Sequence, residues 1–172
     1  MSGFPAEDSH AIQVGVNDRL GARLKADART AGMSVIRLDL AGLADDAALA
    51  DYLATAFMFP HETRGLDAAV DLISDLEWFG NSNGYLVVVD GLDRAPKVVE
   101  PFASILPNIV DRWRSQAVPF IVAILMTSER LTSALAAANR RMDEAGRLPW
   151  AQPGTGGVDV VVHKGSAAGS DS

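Results

Sequence analysis

Three segments of the chain have the patterns of hydrophobic and polar positions that β-strands produce. Residues 34–40 (SVIRLDL) alternate apolar and polar side chains, which predicts a strand with one covered face. Residues 85–90 (YLVVVD) and 120–126 (FIVAILM) are almost continuously apolar, which is typical of strands buried on both faces of a parallel sheet. Residues 158–162 (VDVVV) form a further, short candidate for an edge strand.

Between these strands, apolar residues recur at the spacing of α-helices. Asp45 or Asp46 is suited to cap the second helix, because a short acidic side chain accepts hydrogen bonds from the first backbone N–H groups. Pro101 and Pro107 lie inside the fourth helical segment, so we expect two shorter helices or a broken helix there. The spacing predicts helices over residues 16–31, 45–57, 66–77, 98–115 and 127–145.

The alternation of strands and helices predicts an α/β fold. We expect a small parallel three-stranded sheet, with room for a fourth strand at its edge, packed with helices in two or three layers and joined by right-handed crossovers. Residues 13–150 are predicted to form a single domain that has an additional helix at each end. Residues 1–12 and 151–172 are polar or rich in Gly and Ser, so we expect them to be flexible.

The charge balance favours a basic protein partner. The 172 residues include 22 Asp and Glu against 15 Lys and Arg, a formal net charge of -7, and this charge repels nucleic acid and anionic membranes. No apolar run approaches the roughly 20 residues of a membrane span. The N-terminal sequence lacks the features of a signal peptide, and the chain has no cysteine. We therefore expect a cytoplasmic protein that binds neither nucleic acid nor membranes.

Asp90 carries the main alternative from another class of function. An acidic residue at the end of an apolar strand holds magnesium in nucleotide-binding proteins, and MTSER (126–130) is similar to the sensor segment of such an ATPase. That chemistry also needs a glycine-rich loop with a lysine to cradle phosphates, and the chain has no GxxxxGK[ST] motif. The alternative hypothesis is therefore a degenerate P-loop-like nucleotide-binding protein centred on Asp90.

Other candidate catalytic features have simpler structural explanations. Residues 80–84 (GNSNG) match GxSxG, but they lead from a helix into a strand, whereas a nucleophile elbow leads from a strand into a helix. The histidines, His10, His61 and His163, are too far apart in sequence to show the spacing of a zinc site. We expect no enzymatic activity, no cofactor and no metal site.

Residues 57–78 (FMFPHETRGLDAAVDLISDLEW) combine a loop, a helix start and an acidic face. Asp67, Asp71 and Asp75 are spaced four apart, so on a helix their carboxylates lie along one side. Such a row is either a solvated surface or a site for the cations of a partner. Because a basic partner would form charge-assisted hydrogen bonds there, this segment is the strongest candidate for a functional surface.

This segment resembles the barstar family of ribonuclease inhibitors. The family has an apolar residue before proline, a short loop, a Leu-Asp-Ala helix start and a second Asp one turn later; here these are Phe59-Pro60, 61–65, Leu66-Asp67-Ala68 and Asp71. VIRLDLAGLADDAALADYLATAF, GYLVVVDG and VPFIVAIL are similar to the family's strands and first helix in the same order, so the resemblance covers residues 34–126. It implies a three-stranded parallel sheet and inhibition by plugging an enzyme's basic active site.

The loop departs from the family pattern. Residues 61–65 are one residue shorter than the family's loop and lack its aromatic residues, and the family's contacting glutamate on the last helix is matched only by Glu100, a few residues early. A barstar-like scaffold that binds a partner other than a nuclease is a further alternative. From the resemblance we expect an inhibitor or immunity protein of a basic ribonuclease or toxin, with Glu62, Thr63, Arg64, Gly65, Asp67, Asp71 and Asp75 at the contact.

Overall fold

The structure, a computed structural model, describes residues Ile12–Val14, 18–125 and Val160–Val162. The predicted helix over residues 127–145 lies outside the described residues. None of the helices in the described ranges is long and apolar enough to cross a membrane. The elements in chain order are β1 (Ile12–Val14), α1 (Asp18–Thr30), β2 (Ser34–Asp39), α2 (Asp46–Ala56), α3 (Gly65–Ile73), β3 (Tyr85–Asp90), a 3-10 turn (Leu92–Arg94), α4 (Val99–Ser115), β4 (Phe120–Ile124) and β5 (Val160–Val162).

The strands form one parallel sheet in the order β2-β3-β4-β1-β5. This arrangement confirms the α/β class, and the three strands predicted from the longest apolar segments are neighbours in the sheet. In the described part of the chain the sheet has five strands, so the expected number was too small. β5 overlaps the candidate edge strand at 158–162, whereas β1 was missed and begins inside the segment 1–12 that was expected to be flexible. The three residues of β1 are too few to show a strand pattern on their own, whereas β5 lies within a longer candidate segment that contains four valines.

Helices cover both faces of the sheet, which gives three layers. α1 packs on one face, where Leu24 and Ala28 join a small apolar cluster with Leu86 and Ile121. The larger core lies on the other face, beneath α2, α3 and α4. β3 and β4 are buried because they have neighbouring strands on both sides and helices on both faces, as their continuous apolar sequences predict.

α4 is a single helix from Val99 to Ser115, so the predicted break does not occur. Pro101 is its third residue, in the first turn, where a backbone N–H has no partner within the helix. Pro107 lies in the middle of the helix, where a proline lowers the stability of the helix by about 3 kcal/mol. Burial of an apolar side chain contributes about 1.5–3 kcal/mol. The summed burial of the apolar side chains of α4 therefore outweighs the cost of Pro107. The α4 residues buried in the core are Phe102, Ile105, Leu106, Ile109, Val110 and Trp113.

α3 ends at Ile73 and is shorter than the predicted helix over 66–77. Leu76 causes the difference: it has a left-handed backbone conformation with φ of 45° and is fully buried in the core. A helix continuing through residue 77 would not allow this conformation. Asp75 therefore lies in the turn after α3, and the expected row of three helical carboxylates is reduced to Asp67 and Asp71.

Candidate functional site

Aromatic contacts fix the start of the loop that joins α2 to α3. The indole nitrogen of Trp78 donates a hydrogen bond of 2.9 Å to the carbonyl oxygen of Phe57, the C-cap residue that follows α2. The ring of Phe59 packs edge-on against Trp78, with ring centroids 6.0 Å apart. Phe57 itself is buried in the core. The loop therefore leaves the core at a fixed point, and residues 60–64 pass over the surface to α3.

Gly65 allows the loop to turn directly into α3. It is the first residue of the helix and has φ of 79°, a backbone conformation that residues other than glycine rarely adopt. The preceding residue, Arg64, is extended and makes no side-chain hydrogen bond to the helix start. Glu62 and Arg64 are exposed and Thr63 is half-buried. The loop thus presents its polar side chains beside the first turn of the acidic helix.

Asp67 lies in the first turn of α3 and is exposed. Among the described residues, no hydrogen bond or ion pair engages its carboxylate. It lines an open cleft of about 490 Å³ where the N-terminal ends of α2, α3 and α4 meet, which we call the upper cleft. The other charged residues that line the upper cleft are Asp46, Arg64 and Glu100. Three carboxylates and one guanidinium therefore surround this space, which gives it a negative local charge.

Asp71 lies one turn further along α3, and Arg112 of α4 forms an ion pair with it. The distance from Arg112 Nη1 to Asp71 Oδ1 is 2.8 Å. This pair lies along a second cleft of about 230 Å³ between α3 and α4, the lower cleft, which is also lined by Asp67, Ser104 and Asn108. Sequence reasoning missed Arg112. Ser104, Asn108 and Arg112 recur at helical spacing, but nothing in the sequence indicates that this polar row faces α3.

The structure brings most of the expected contact residues together. Gly65 and Arg64 line the upper cleft with Asp67, and Asp67 and Asp71 both line the lower cleft. Glu100 lies on the wall of the upper cleft. In the sequence it stands a few residues before the position of the contacting glutamate in the family. Asp75 lies beyond the other end of α3 and lines neither cleft.

Asp90 lies at the exposed end of β3, where its carboxylate accepts a hydrogen bond of 2.7 Å from the backbone N–H of Gly91. The neighbouring strand ends in Asp39, whose carboxylate accepts from the N–H of Ala41 at 3.2 Å. Both side chains therefore bind the turns that follow their own strands. The segment MTSER, which supported the nucleotide hypothesis, lies outside the described residues.

The remaining catalytic candidates take part in turns. Asn81 holds the 80–84 turn by donating to the carbonyl oxygen of Gly32 at 3.0 Å and to Ser34 Oγ at 2.9 Å. His61 is exposed, with its Nδ1 3.2 Å from the carbonyl oxygen of the adjacent Glu62. Within the described ranges, no group of three or more His, Asp or Glu side chains is arranged to hold a metal ion.

Together, the fold and the clefts define a small parallel α/β domain with an exposed acidic helix at its surface. The family model described as barstar (barnase inhibitor) matches residues 33–124. This match covers more than half of the chain and runs from the start of β2 to the end of β4, including α3 and both clefts. The chain therefore belongs to the barstar family. Neither the curated proteins nor the solved structures contain a match.

Proposed function

We propose that this protein is an inhibitor or immunity protein that binds a basic ribonuclease or a related toxin and occludes its active site. The family's description names an inhibitor of barnase, and the proposal extends that activity to this chain. The contact surface is the α2–α3 loop together with the exposed side of α3. It contains Glu62, Thr63, Arg64, Gly65, Asp67 and Asp71. No reaction is assigned to the chain, because occlusion requires only a complementary surface.

The observation that carries the proposal is the exposed carboxylate of Asp67 at the edge of the upper cleft, which has no hydrogen-bond or ion-pair partner among the described residues. A ribonuclease holds RNA phosphates with Arg and Lys side chains, and these cations can bind a carboxylate in the same way. Such charge-assisted hydrogen bonds are about twice as strong as neutral ones. The carboxylates of Asp46 and Glu100 on the walls of the same cleft add to the attraction. A basic active site is therefore the complement of this surface.

The net charge of the chain supports the same kind of partner. At -7, the protein attracts a basic enzyme over distances of about one Debye length, roughly 8 Å at physiological ionic strength. Attraction of this kind raises the association rate and falls steeply as salt is added. Binding to the proposed target is therefore expected to be faster at low ionic strength.

The test is to titrate the purified protein into an RNA-cleavage assay with barnase and other purified basic ribonucleases. We expect cleavage to fall linearly with added protein and to stop at a molar ratio of one to one. A pull-down from lysate, followed by the same cleavage assay on the captured protein, extends the search to other targets. Capture of a partner whose activity is unchanged would favour the scaffold alternative, and absence of inhibition throughout would contradict the proposal.

A further inference from the structure

Arg112 places a positive charge inside the surface that is proposed to bind a basic enzyme. Its guanidinium lies 2.8 Å from Asp71, the second of the two helical carboxylates. The side chains of Arg112 and Asp71 are 50% and 70% exposed. A partner that covers Asp71 must therefore also cover Arg112, or displace it.

We propose that Arg112 is a specificity-determining residue that selects partners with a cation opposite Asp67 and a carboxylate or other hydrogen-bond acceptor opposite the lower cleft. This inference rests on the proposed inhibitor function for the identity of the partner. A guanidinium has five N–H donors, and Asp71 receives one short hydrogen bond from Nη1. The other donors need acceptors when a partner excludes water, because an unsatisfied buried charge is strongly unfavourable.

The same geometry disfavours a partner that is basic throughout. A cation brought to Asp71 would also approach Arg112, and the repulsion would offset part of the attraction. Asp67 forms no ion pair among the described residues, although Arg64 lines the same upper cleft, so the two carboxylates of α3 are unequal. Asp67 and the upper cleft therefore bind the partner's cation. The ion pair of Asp71 and Arg112 offers the partner one negative and one positive group.

A structural role for Arg112 is a weaker explanation of the ion pair. Exposed ion pairs contribute little to stability. The ends of α3 and α4 are already joined by hydrogen bonds from Trp113 to the Ile73 carbonyl and from Gln116 to the Ser74 carbonyl. Removing the guanidinium should therefore leave the melting temperature nearly unchanged, so its effect on binding can be measured in a folded protein.

The experiment compares Arg112→Ala with Arg114→Ala. The control removes the same charge from the same helix, at a residue that pairs with Asp111 of α4. Tetra-arginine peptide is titrated into each variant at low salt and followed by NMR, and inhibition of barnase is measured for both. We expect Arg112→Ala to bind the peptide about fivefold to tenfold more tightly than Arg114→Ala, because the substitution removes a nearby positive charge that repels the peptide. The NMR shifts should centre on Asp67 and Asp71.

The two probes separate failure of this inference from failure of the proposed function. Equal peptide affinities of the two variants, or no binding by either, would overturn the role of Arg112 even if ribonucleases are inhibited. A tighter Arg112→Ala complex with the peptide, without inhibition of any ribonuclease, would support the role of Arg112 and contradict the inhibitor function. Weaker peptide binding by Arg112→Ala than by Arg114→Ala would also overturn the inference.

Discussion

The indole nitrogen of Trp113 on α4 donates a hydrogen bond of 2.9 Å to the carbonyl oxygen of Ile73, the last residue of α3. The Trp113 ring also stacks on Phe120 of β4, with centroids 5.6 Å apart and planes 3° from parallel. One side chain thus connects the end of the acidic helix to the sheet. α4 therefore sets the position of α3 as well as lining both clefts.

Substitution of Trp113 by Phe tests this connection. The variant keeps a ring in the core but removes the donor to the Ile73 carbonyl and leaves unfilled volume. We expect a loss of about 2–3 kcal/mol in the free energy of unfolding, since an unsatisfied buried carbonyl and a small cavity each cost about 1 kcal/mol or more. Urea unfolding followed by circular dichroism measures the change.

Gln116→Ala is the matched control for Trp113. Its amide donates to the Ser74 carbonyl at 3.1 Å, but the residue is exposed, so water can replace the hydrogen bond. We expect a loss of about 0.5 kcal/mol, in the lower range for a single hydrogen bond. Equal losses in the two variants would mean that the Trp113 hydrogen bond has no special role.

The sequence predicted the parts of the fold that depend on long apolar patterns. β2, β3 and β4 were found because their side chains are selected by burial over five or six residues. β1 is too short for such a pattern. The end of α3 was misplaced because residues 66–77 keep a helical spacing, and the turn at Leu76 is stabilised by burial of its side chain, which is a tertiary effect.

Only the local features of the candidate site could be predicted from the sequence. The loop and the first turn of α3 are local in sequence, so Gly65 and Asp67 could be identified from their neighbours. The Asp71–Arg112 pair joins residues 41 positions apart, and it depends on how α3 packs against α4. A single sequence does not contain that information in any local pattern, and so the different surroundings of Asp67 and Asp71 emerge only from the structure.

Gly65→Ala should weaken both stability and binding. An alanine at φ of 79° is strained, although the space around a new Cβ is open. We expect a loss of about 1–2 kcal/mol in the free energy of unfolding. If the backbone relaxes to relieve this strain, residues 62–64 change their direction relative to α3. Inhibition of the target ribonuclease should then fall together with stability.

Gly42→Ala is the control for the backbone effect. Gly42 has φ of 80° and the same open space for a Cβ, but it lies in the turn after β2 and lines neither cleft. The two variants should lose similar stability in urea unfolding, and Gly42→Ala should keep full inhibition. Equal inhibition by both would show that the turn into α3 does not set the binding surface.

Gly91→Ala should lower the free energy of unfolding more than Gly65→Ala or Gly42→Ala does. Gly91 has φ of 75°, and a Cβ there would lie 2.7 Å from the backbone nitrogen of Ala41 and in collision with the Asp39 carboxylate. We expect a loss of roughly 3 kcal/mol or more, since strain and overpacking add. A thermal unfolding curve close to that of Gly42→Ala would contradict this account of the turns after β2 and β3.

Asp67→Asn tests the carboxylate on which the proposed function depends. The substitution keeps the shape and removes one charge, and an exposed residue in the first turn of a helix should tolerate it with little change in stability. Binding to the target ribonuclease should weaken by about 2 kcal/mol or more, because the partner's cation is left without its counter-ion. Inhibition constants measured between about 50 and 500 mM salt should also depend less on salt than those of the unaltered protein, since one attractive pair is absent.

Asp75→Asn removes the same charge from the same acidic segment and is the control for Asp67→Asn. Asp75 lies after the end of α3, away from both clefts. Its loss should weaken binding by only about 0.5 kcal/mol, through the small change in net charge. If the two variants bind equally, the acidic segment acts through its overall charge and Asp67 has no specific contact. A larger effect at Asp75 would move the contact surface to the end of α3, with Asp75 at the contact as the sequence predicts.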